Sequence, residues 1–581
     1  MRLSRIALFA VLICGSGAFL FSQTSPNLEN GFKPYGSYDG TGIDTVNLLN
    51  GNLMLHVPMP YQYPQRGQMQ PTSLLTISSK QWMVDCWDVG PDGGQFCQWD
   101  TGPVFNVPAL AGIGTDFGLN TTMAISRLWQ SQTIPSISVF VSATNYVLYT
   151  ADGAAHGMGD GPSDPVTGHE LSLDEYAPGA YHVDFTAWDD TQNGVPTAGI
   201  VVDRKGNRYP FAGFSGPCTF VLDAPNNIST TTCNQASYLG TSEFDANGNS
   251  TTTLTDTLGR PLSASLLAFN QLSTTSDLNG CVNASSAKVF SYAGINGASN
   301  QIKKCFASVS FNTAFSQTPS NKQITGSVTM VTGVVLPDGT NWNFQYDNYG
   351  NVAHIGMPLG GTITYNWGEI AQPPCGTNTD ISRAVLSRTL NDNNGHSFTW
   401  NYSWGNAVNG VITNVVTDPS GNDTVHIFTN LADPNGFGCL YYETTTAEYQ
   451  GKISSNKPLR RVDTQYSNPL VNPGIVVPLS IQTTVYPSGK VSLITKTYAG
   501  NTFATEVLGN VATEKQYDWG QGSAGALIRE IDTTYQWDVD SRYLTAHLLD
   551  LPAKVIVKDG GGHPVAETDY FYDEYSLQPH T

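Results

Sequence analysis

The sequence predicts an all-β protein, an extended sheet built by adding one β-hairpin after another, with a β-rich region at its N-terminus. Three observations carry that expectation. Between Asp203 and Gly562 the turn Asp-x-x-Gly occurs nine times, beginning at Asp203, Asp245, Asp256, Asp277, Asp347, Asp392, Asp418, Asp433 and Asp559. Apolar and polar residues alternate around most of these turns, and no segment shows a long 3.6-residue apolar period with caps. Composition agrees: 40% hydrophobic and 11% aromatic residues supply a core, while only 13% are charged. That balance suits sheets coated with Thr, Ser and Asn rather than surface helices.

Each part of the turn has a physical role. In the clearest copy, Trp342-Asn343-Phe344-Gln345-Tyr346 alternates as a strand, and Asp347-Asn348-Tyr349-Gly350-Asn351 turns the chain. Val352-Ala353-His354-Ile355 then returns it. Asp caps the turn through its own backbone, and Gly enters the left-handed region at little steric cost. The intervals between copies are irregular, which excludes a strict solenoid but fits hairpin addition.

From the N-terminus, Arg2 and Arg5 precede an apolar run from Ile6 to Phe21, and a polar stretch begins at Ser22. This pattern predicts a secretory signal peptide over residues 1–22, too short and Gly-interrupted for a membrane anchor. A polar, Gly-rich leader then reaches Thr41. Ile43 to Leu49 and Asn52 to Val57, joined at Asn50-Gly51, predict a hairpin, and Ser73 to Ser78 a further strand. Residues 85–115 read as a loop stapled by cysteines. Strands are expected at Ser136–Val141, Tyr181–Phe185, Gly199–Val202 and Arg208–Phe211, and the Gly- and Asp-rich residues 152–168 as an exposed loop. A short helix is expected near Ala371 or Ala524. The organisation expected is 1–22 signal peptide, 23–200 N-terminal β-rich region, 201–375 hairpin region and 376–581 C-terminal β region.

Eight cysteines remain once Cys14 leaves with the signal. An even number in an exported chain predicts disulfides, and sequence alone allows 105 pairings. Consecutive pairing is attractive because each bridge closes a local excursion: 86–97, 218–233, 281–305 and 375–439. Each would contribute roughly 2–4 kcal/mol in the chain-entropy model. No Cys-x-x-Cys spacing suggests zinc.

A net charge of −20 argues against nucleic acid and anionic lipid, both of which need basic patches. No segment after the signal is apolar enough to span a membrane. The ten histidines are scattered, and neither His-Glu-x-x-His, Gly-x-Ser-x-Gly nor a phosphate-binding Gly-rich loop is present. Asp189 to Gly194 resembles the start of a calcium loop, but Ile200 stands where a bidentate Glu would be needed; a surface turn is the better reading. The acidic loop from His156 to Glu170 reads as solvated. Asp418-Pro419 and Asp433-Pro434 open ordinary type I turns. Trp342, Trp367, Trp400 and Trp404 sit in strand patterns, where core packing outweighs sugar stacking. The residues therefore assign no catalytic, cofactor-binding or metal position.

Tyr346-Asp347-Asn348-Tyr349-Gly350-Asn351, followed by Pro358, Gly361-Thr362 and Tyr365-Asn366-Trp367, resembles an RHS (YD) repeat. Asp256-Thr257-Leu258-Gly259-Arg260, Asp559 to Val565 and Tyr570-Phe571-Tyr572-Asp573 are similar to other forms of that unit. Asp44-Thr45-Val46-Asn47, Gly51-Asn52-Leu53, Val57-Pro58 and Arg66-Gly67 resemble the segment that opens RHS and toxin-complex shells. The resemblance implies a curved sheet or partial shell. It further implies a secreted or surface-exposed scaffold and binding protein without catalysis, belonging to a polymorphic toxin or cell-contact system. Extracellular carbohydrate or a partner or toxin protein would be its ligand. The family's C-terminal self-cleavage core is not recognisable before Thr581, so a complete toxin-delivering cocoon is not expected. Two rivals differ in class. A carbohydrate-binding adhesin requires an exposed row of aromatics, and a β-scaffold glycan hydrolase requires two carboxylates about 5–10 Å apart.

Overall fold

The computed structural model describes residues 32–62, 72–79, 82–88, 95–101, 124–133, 140–149, 155–158, 165–166, 169, 171–174, 181–189, 195–215, 218–223, 228–240, 244–248, 273–293, 299–316, 323–371, 381–431, 440–467, 476–500 and 507–572. The signal segment 1–22 and the turns at Asp256 and Asp433 lie outside them. Most of Asp189–Gly194 and of His156–Glu170 does too.

The described residues are nearly all strand. A front sheet runs β1 (Tyr38–Thr41), β2 (Asp44–Asn47), β3 (Leu53–Gln62), β4 (Thr72–Ser78) in that order. A nine-stranded sheet spans residues 124–240, and a 21-stranded sheet holds the rest. From Ser273–Thr275 to Pro564–Asp569, the strands of the large sheet add in sequence order, each antiparallel to the last. This is the expected hairpin addition, and antiparallel neighbours joined by short turns need no crossover.

The turns are the joints of this sheet. In all seven described copies the Gly has φ between 75° and 92°, a region that other residues enter only at a cost of about 1–2 kcal/mol. Asp347 shows the full pattern. Its carboxylate accepts the backbone N–H groups of Tyr349 at 2.8 Å and Asn351 at 2.9 Å, and the Asn351 amide at 3.3 Å. The N–H of Gly350 donates to the Asp347 carbonyl at 3.0 Å, and that of Asp347 to the Asn351 carbonyl at 2.9 Å. Asp203–Asn207 and Asp418–Asn422 repeat the arrangement. A type I turn followed by a left-handed residue is the standard three-residue hairpin loop.

A second repeated device was not visible in the turn count. In the C-terminal half of several strands of the large sheet, or just beyond it, an aromatic side chain donates a hydrogen bond to a carbonyl of the strand before. Trp367 reaches Val352 at 2.8 Å, Trp404 reaches Val385 at 2.9 Å, and Tyr466 reaches Glu443 at 3.1 Å. Tyr498 reaches Pro478 at 2.7 Å, Tyr535 reaches Val511 at 3.1 Å, and Tyr572 reaches Pro552 at 3.0 Å. Tyr346 does the same to Val331. Register shifts fall at Gln345/Tyr346, Asn366/Trp367, Gln465/Tyr466, Thr497/Tyr498 and Thr534/Tyr535. The bulge re-aims the ring, and the ring adds a donor to a carbonyl of the preceding strand.

The core lies between the front sheet and the large one. Val46, Leu48, Leu49, Leu53, Leu55 and Val57 pack with Phe306, Phe344, Ile355, Val385 and Phe428. Beyond Pro458 the strands carry few buried side chains, with Pro564–Asp569 exposed throughout. A small second core there holds Leu508, Trp537, Tyr543 and Leu549. It forms around two short helices, Gln536–Val539 and Ser541–Thr545. The turn at Asp203 docks against this core: Arg204 donates to Asp550 at 2.7 Å and to the Leu508 carbonyl at 2.7 Å.

Several expectations need correction. The helix expected near Ala371 or Ala524 is absent from those positions: Ala371 ends a strand and Ala524 pairs with Val491. The described part of 85–115 is a hairpin, Trp82–Asp88 with Gln95–Thr101, rather than a loop. Its alternation was masked by the Gly and Pro residues at 90–94. Among the cysteines, Cys281 and Cys305 form the expected disulfide. Cys86 stands opposite Cys97 in the ladder, and Cys218 opposite Cys233. Cys375 and Cys439 lie outside the described residues.

Candidate functional site

The most elaborate polar structure is the seam between the front sheet and the large sheet, built on the front side by residues 37–57. Hairpin geometry explains why this segment can enter a core. Asn47 folds back to accept the N–H groups of Leu49 at 2.9 Å and Asn50 at 3.3 Å. Asn50 accepts from Asn52 at 2.9 Å, and Asn52 accepts from the Ser79 N–H at 3.1 Å. These three asparagines are almost fully buried, and the bonds answer the polar groups that burial would leave unsatisfied. Gly51 sits at φ 70° with its α-carbon against the large sheet: a methyl there would lie 2.2 Å from the Ala384 Cβ.

At the centre of the seam, Asp44 of β2 meets Arg388, both nearly solvent-free. The Arg388 Nη2 donates to Asp44 at 2.8 Å and its Nε donates to the other oxygen. The Tyr365 hydroxyl donates to the same carboxylate at 2.7 Å, and the Arg388 guanidinium lies 4.8 Å above the Trp400 ring. Tyr402 donates to Asp39 at 2.7 Å. Burial by itself would depress the Arg388 pKa, but the hydrogen bonds and charge of Asp44 raise it. Burial, and then Asp44, push the Tyr365 phenol well up. Arg388, Tyr365 and Tyr402 are all held further in the protonated form they already carry at neutral pH, the opposite of an acid–base pair poised for proton transfer.

At the edge of the seam, Glu443 takes three donors. Thr446 and His426 lie 2.6 Å from one oxygen, and the Ser37 hydroxyl donates to the other. Burial pushes the Glu443 carboxyl up, but the bonds from His426, Ser37 and Thr446 outweigh it and hold the pKa below its usual value. Serine, histidine and glutamate invite comparison with a hydrolytic triad. The order is wrong: the hydroxyl donates to the carboxylate, whereas a nucleophile must donate to the imidazole. The adjoining shallow cleft is lined by Lys33, Tyr35, Leu49, Phe428, Tyr441 and Tyr442 among others. Glu443 is the one carboxylate in that lining, and paired-carboxylate chemistry needs two.

The residues weighed from sequence fall elsewhere. His56 stacks on Phe32, His169 on Trp188 and His182 on His547. His354 bonds Thr364, while His396 and His563 pair with turn aspartates. No group of three or more His, Cys, Asp or Glu among the described residues could hold a metal. Trp342 belongs to the core, and Trp367, Trp400 and Trp404 pack against it, so these four indoles are not free to stack on sugars. No helix among the described residues is long and apolar enough to cross a membrane. Sequence reading missed the Asp44–Arg388 pair, since its partners lie 344 residues apart and nothing in either segment names the other.

No family model matches the chain, and no curated protein matches it. Among solved structures it is similar, at 10% identity and TM-score 0.26, to a chain of the Photorhabdus luminescens Tc holotoxin pore, over 93% of this chain and 29% of that one. It is also similar to chains of the TcdB2–TccC3–TEV and TcdB2–TccC3–Cdc42 crystal structures, at 10% identity and TM-scores of 0.20 and 0.12. The chain covers 27% and 25% of those chains, and 90% and 87% of it is matched. It thus spans less than a third of the length of each. At this level of likeness the architecture rests on the strand order described above.

Proposed function

We propose that the chain is a secreted, RHS-like scaffold and binding protein without catalysis of its own. The observation that carries this reading is the repeated unit itself. The same Asp–Gly turn recurs seven times among the described residues, and aromatic donors tie successive strands. The Tyr346–Asn351 copy has the Tyr-Asp-x-x-Gly-Asn form of that family. The front segment that resembles a shell opening is roofed onto the sheet by the Asp44–Arg388 pair. Such a structure spends its polar groups on holding strands together, and the seam offers a surface rather than a reaction centre. A polypeptide is the partner favoured, because an extended sheet offers rows of side chains at strand spacing to another chain.

The test uses the mature chain. Crosslinking on producing cells followed by mass spectrometry should recover a discrete protein partner. A glycan array and a panel of glycoside substrates should both be silent. Saturable binding to a glycan, or turnover of any substrate, would overturn the proposal in favour of an adhesin or a hydrolase respectively.

A further inference from the structure

Residues 33–37 cross the large sheet as a strap held at a few polar points. The Lys33 ammonium lies 4.3 Å over the Tyr442 ring, and Tyr35 hydrogen-bonds Tyr498. The Ser37 hydroxyl donates to Glu443, and the Ser37 carbonyl accepts from the Leu48 N–H at 2.9 Å. The hydrophobic core behind it is formed by Val46, Leu48 and Leu49, with no strap side chain among its members. Tyr35 is 38% exposed and held at φ 59°, a left-handed conformation that costs a non-glycine residue about 1–2 kcal/mol.

The receiving side is built differently. Glu443 is held by His426 and Thr446, which belong to its own strand and the neighbouring one. Its carboxylate therefore stays in place whether or not Ser37 occupies it. One side of the contact is preformed and the other is strained and lightly packed, the combination expected of a locally opening segment.

We propose that residues 33–37 are a releasable latch, seated on the Glu443 carboxylate, that opens independently of the β2–β3 hairpin behind it. Opening separates Lys33, Tyr35 and Ser37 from Tyr441, Tyr442 and Phe428, which line the other side of the cleft. The latch governs access to that face, while the Asp44–Arg388 pair keeps the front sheet in place.

Hydrogen exchange on the full mature chain, read peptide by peptide, tests this. In the wild type, the peptide covering 33–38 should exchange at least about tenfold faster than that covering 44–57. Ser37→Ala and Glu443→Gln should each speed the strap by about tenfold, as loss of a charge-assisted hydrogen bond implies, and leave 44–57 unchanged. Equal rates for the two peptides in the wild type would overturn the proposal, and so would a strap indifferent to Ser37→Ala. Ser37 stands outside the core, so its variant keeps the test valid even if Glu443→Gln misfolds.

Discussion

Glycine shows best how one residue type carries different costs in this chain. Gly51 and Gly562 both have positive φ, 70° and 83°. Around Gly562 nothing lies within 4 Å of an added methyl, whereas at Gly51 the Ala384 Cβ stands 2.2 Å away and the Trp404 ring 3.2 Å. Gly562→Ala should therefore cost only the conformational penalty, about 1–2 kcal/mol. Gly51→Ala should add an overpacking term of about 1–3 kcal/mol, because the front hairpin must move off the sheet. Urea denaturation of the two variants checks the difference, and equal midpoints would remove the close-approach argument. Both glycines were marked as turn residues from sequence alone. What separates them is a contact with a residue more than 300 positions away, which local pattern cannot supply.

At the scale of the element, two fasteners recur along the sheet, the Asp turn and the aromatic donor. Turn chemistry was legible because Asp and Gly at fixed spacing have few other uses. The aromatic fastener was legible only in part. Tyr346, Trp367 and Tyr572 stood in recognisable Tyr-Asp contexts, but Tyr498 and Tyr535 looked like ordinary strand residues. Their role depends on a bulge that re-aims the ring toward the previous strand. Tyr498→Phe and Tyr535→Phe keep the packing and lose the hydroxyl's bonds, to the Pro478 carbonyl and Tyr35 in one case and to the Val511 carbonyl and Asn510 in the other, so each should cost about 1–2 kcal/mol. Exchange should rise in the strands Pro478–Val485 and Val507–Gln521 respectively, whose carbonyls lose the donor. Exchange unchanged in those strands would show that the rings act by packing alone.

For the whole molecule, the ionisable groups set limits at both ends of the pH scale. Asp392 and Asp559 titrate below the usual carboxylate range, chiefly because backbone N–H groups donate to them. Asp418 does so despite burial, through Asn422 and turn N–H groups; Glu443 behaves alike. A depressed carboxylate contributes stability that is fully present above its unfolded pKa, near 4, and lost as pH falls through its folded pKa. The tyrosines run the other way. Burial raises Tyr346, Tyr365, Tyr402, Tyr466 and Tyr498, so their contribution is present below about pH 10 and lost above it. A plateau of stability between roughly pH 5 and 9 follows, with unfolding in both acid and alkali. Thermal melts across that range check it; a maximum near pH 4 would contradict the turn assignments. Arg388→Met tests the seam. It leaves Asp44 buried without its cation and should cost about 3–5 kcal/mol, whereas the double change Asp44→Leu with Arg388→Met should recover much of that loss.

The sequence by itself determined the all-β class, the hairpin mode of growth and the turn residues; it made the Cys281–Cys305 bridge one attractive pairing among many, and the structure selected it. Each depends on residues near one another in the chain, or on a composition that admits one class of structure. Only the tertiary structure decided that the segment from Asp44 to Val57 roofs the large sheet, and that Arg388 is its counter-charge. The same holds for Glu443, whose carboxylate receives Ser37 from a segment 406 positions away. Those facts depend on pairs hundreds of residues apart, brought together by a sheet whose register accumulates over many strands, and no local pattern encodes where such a sum ends.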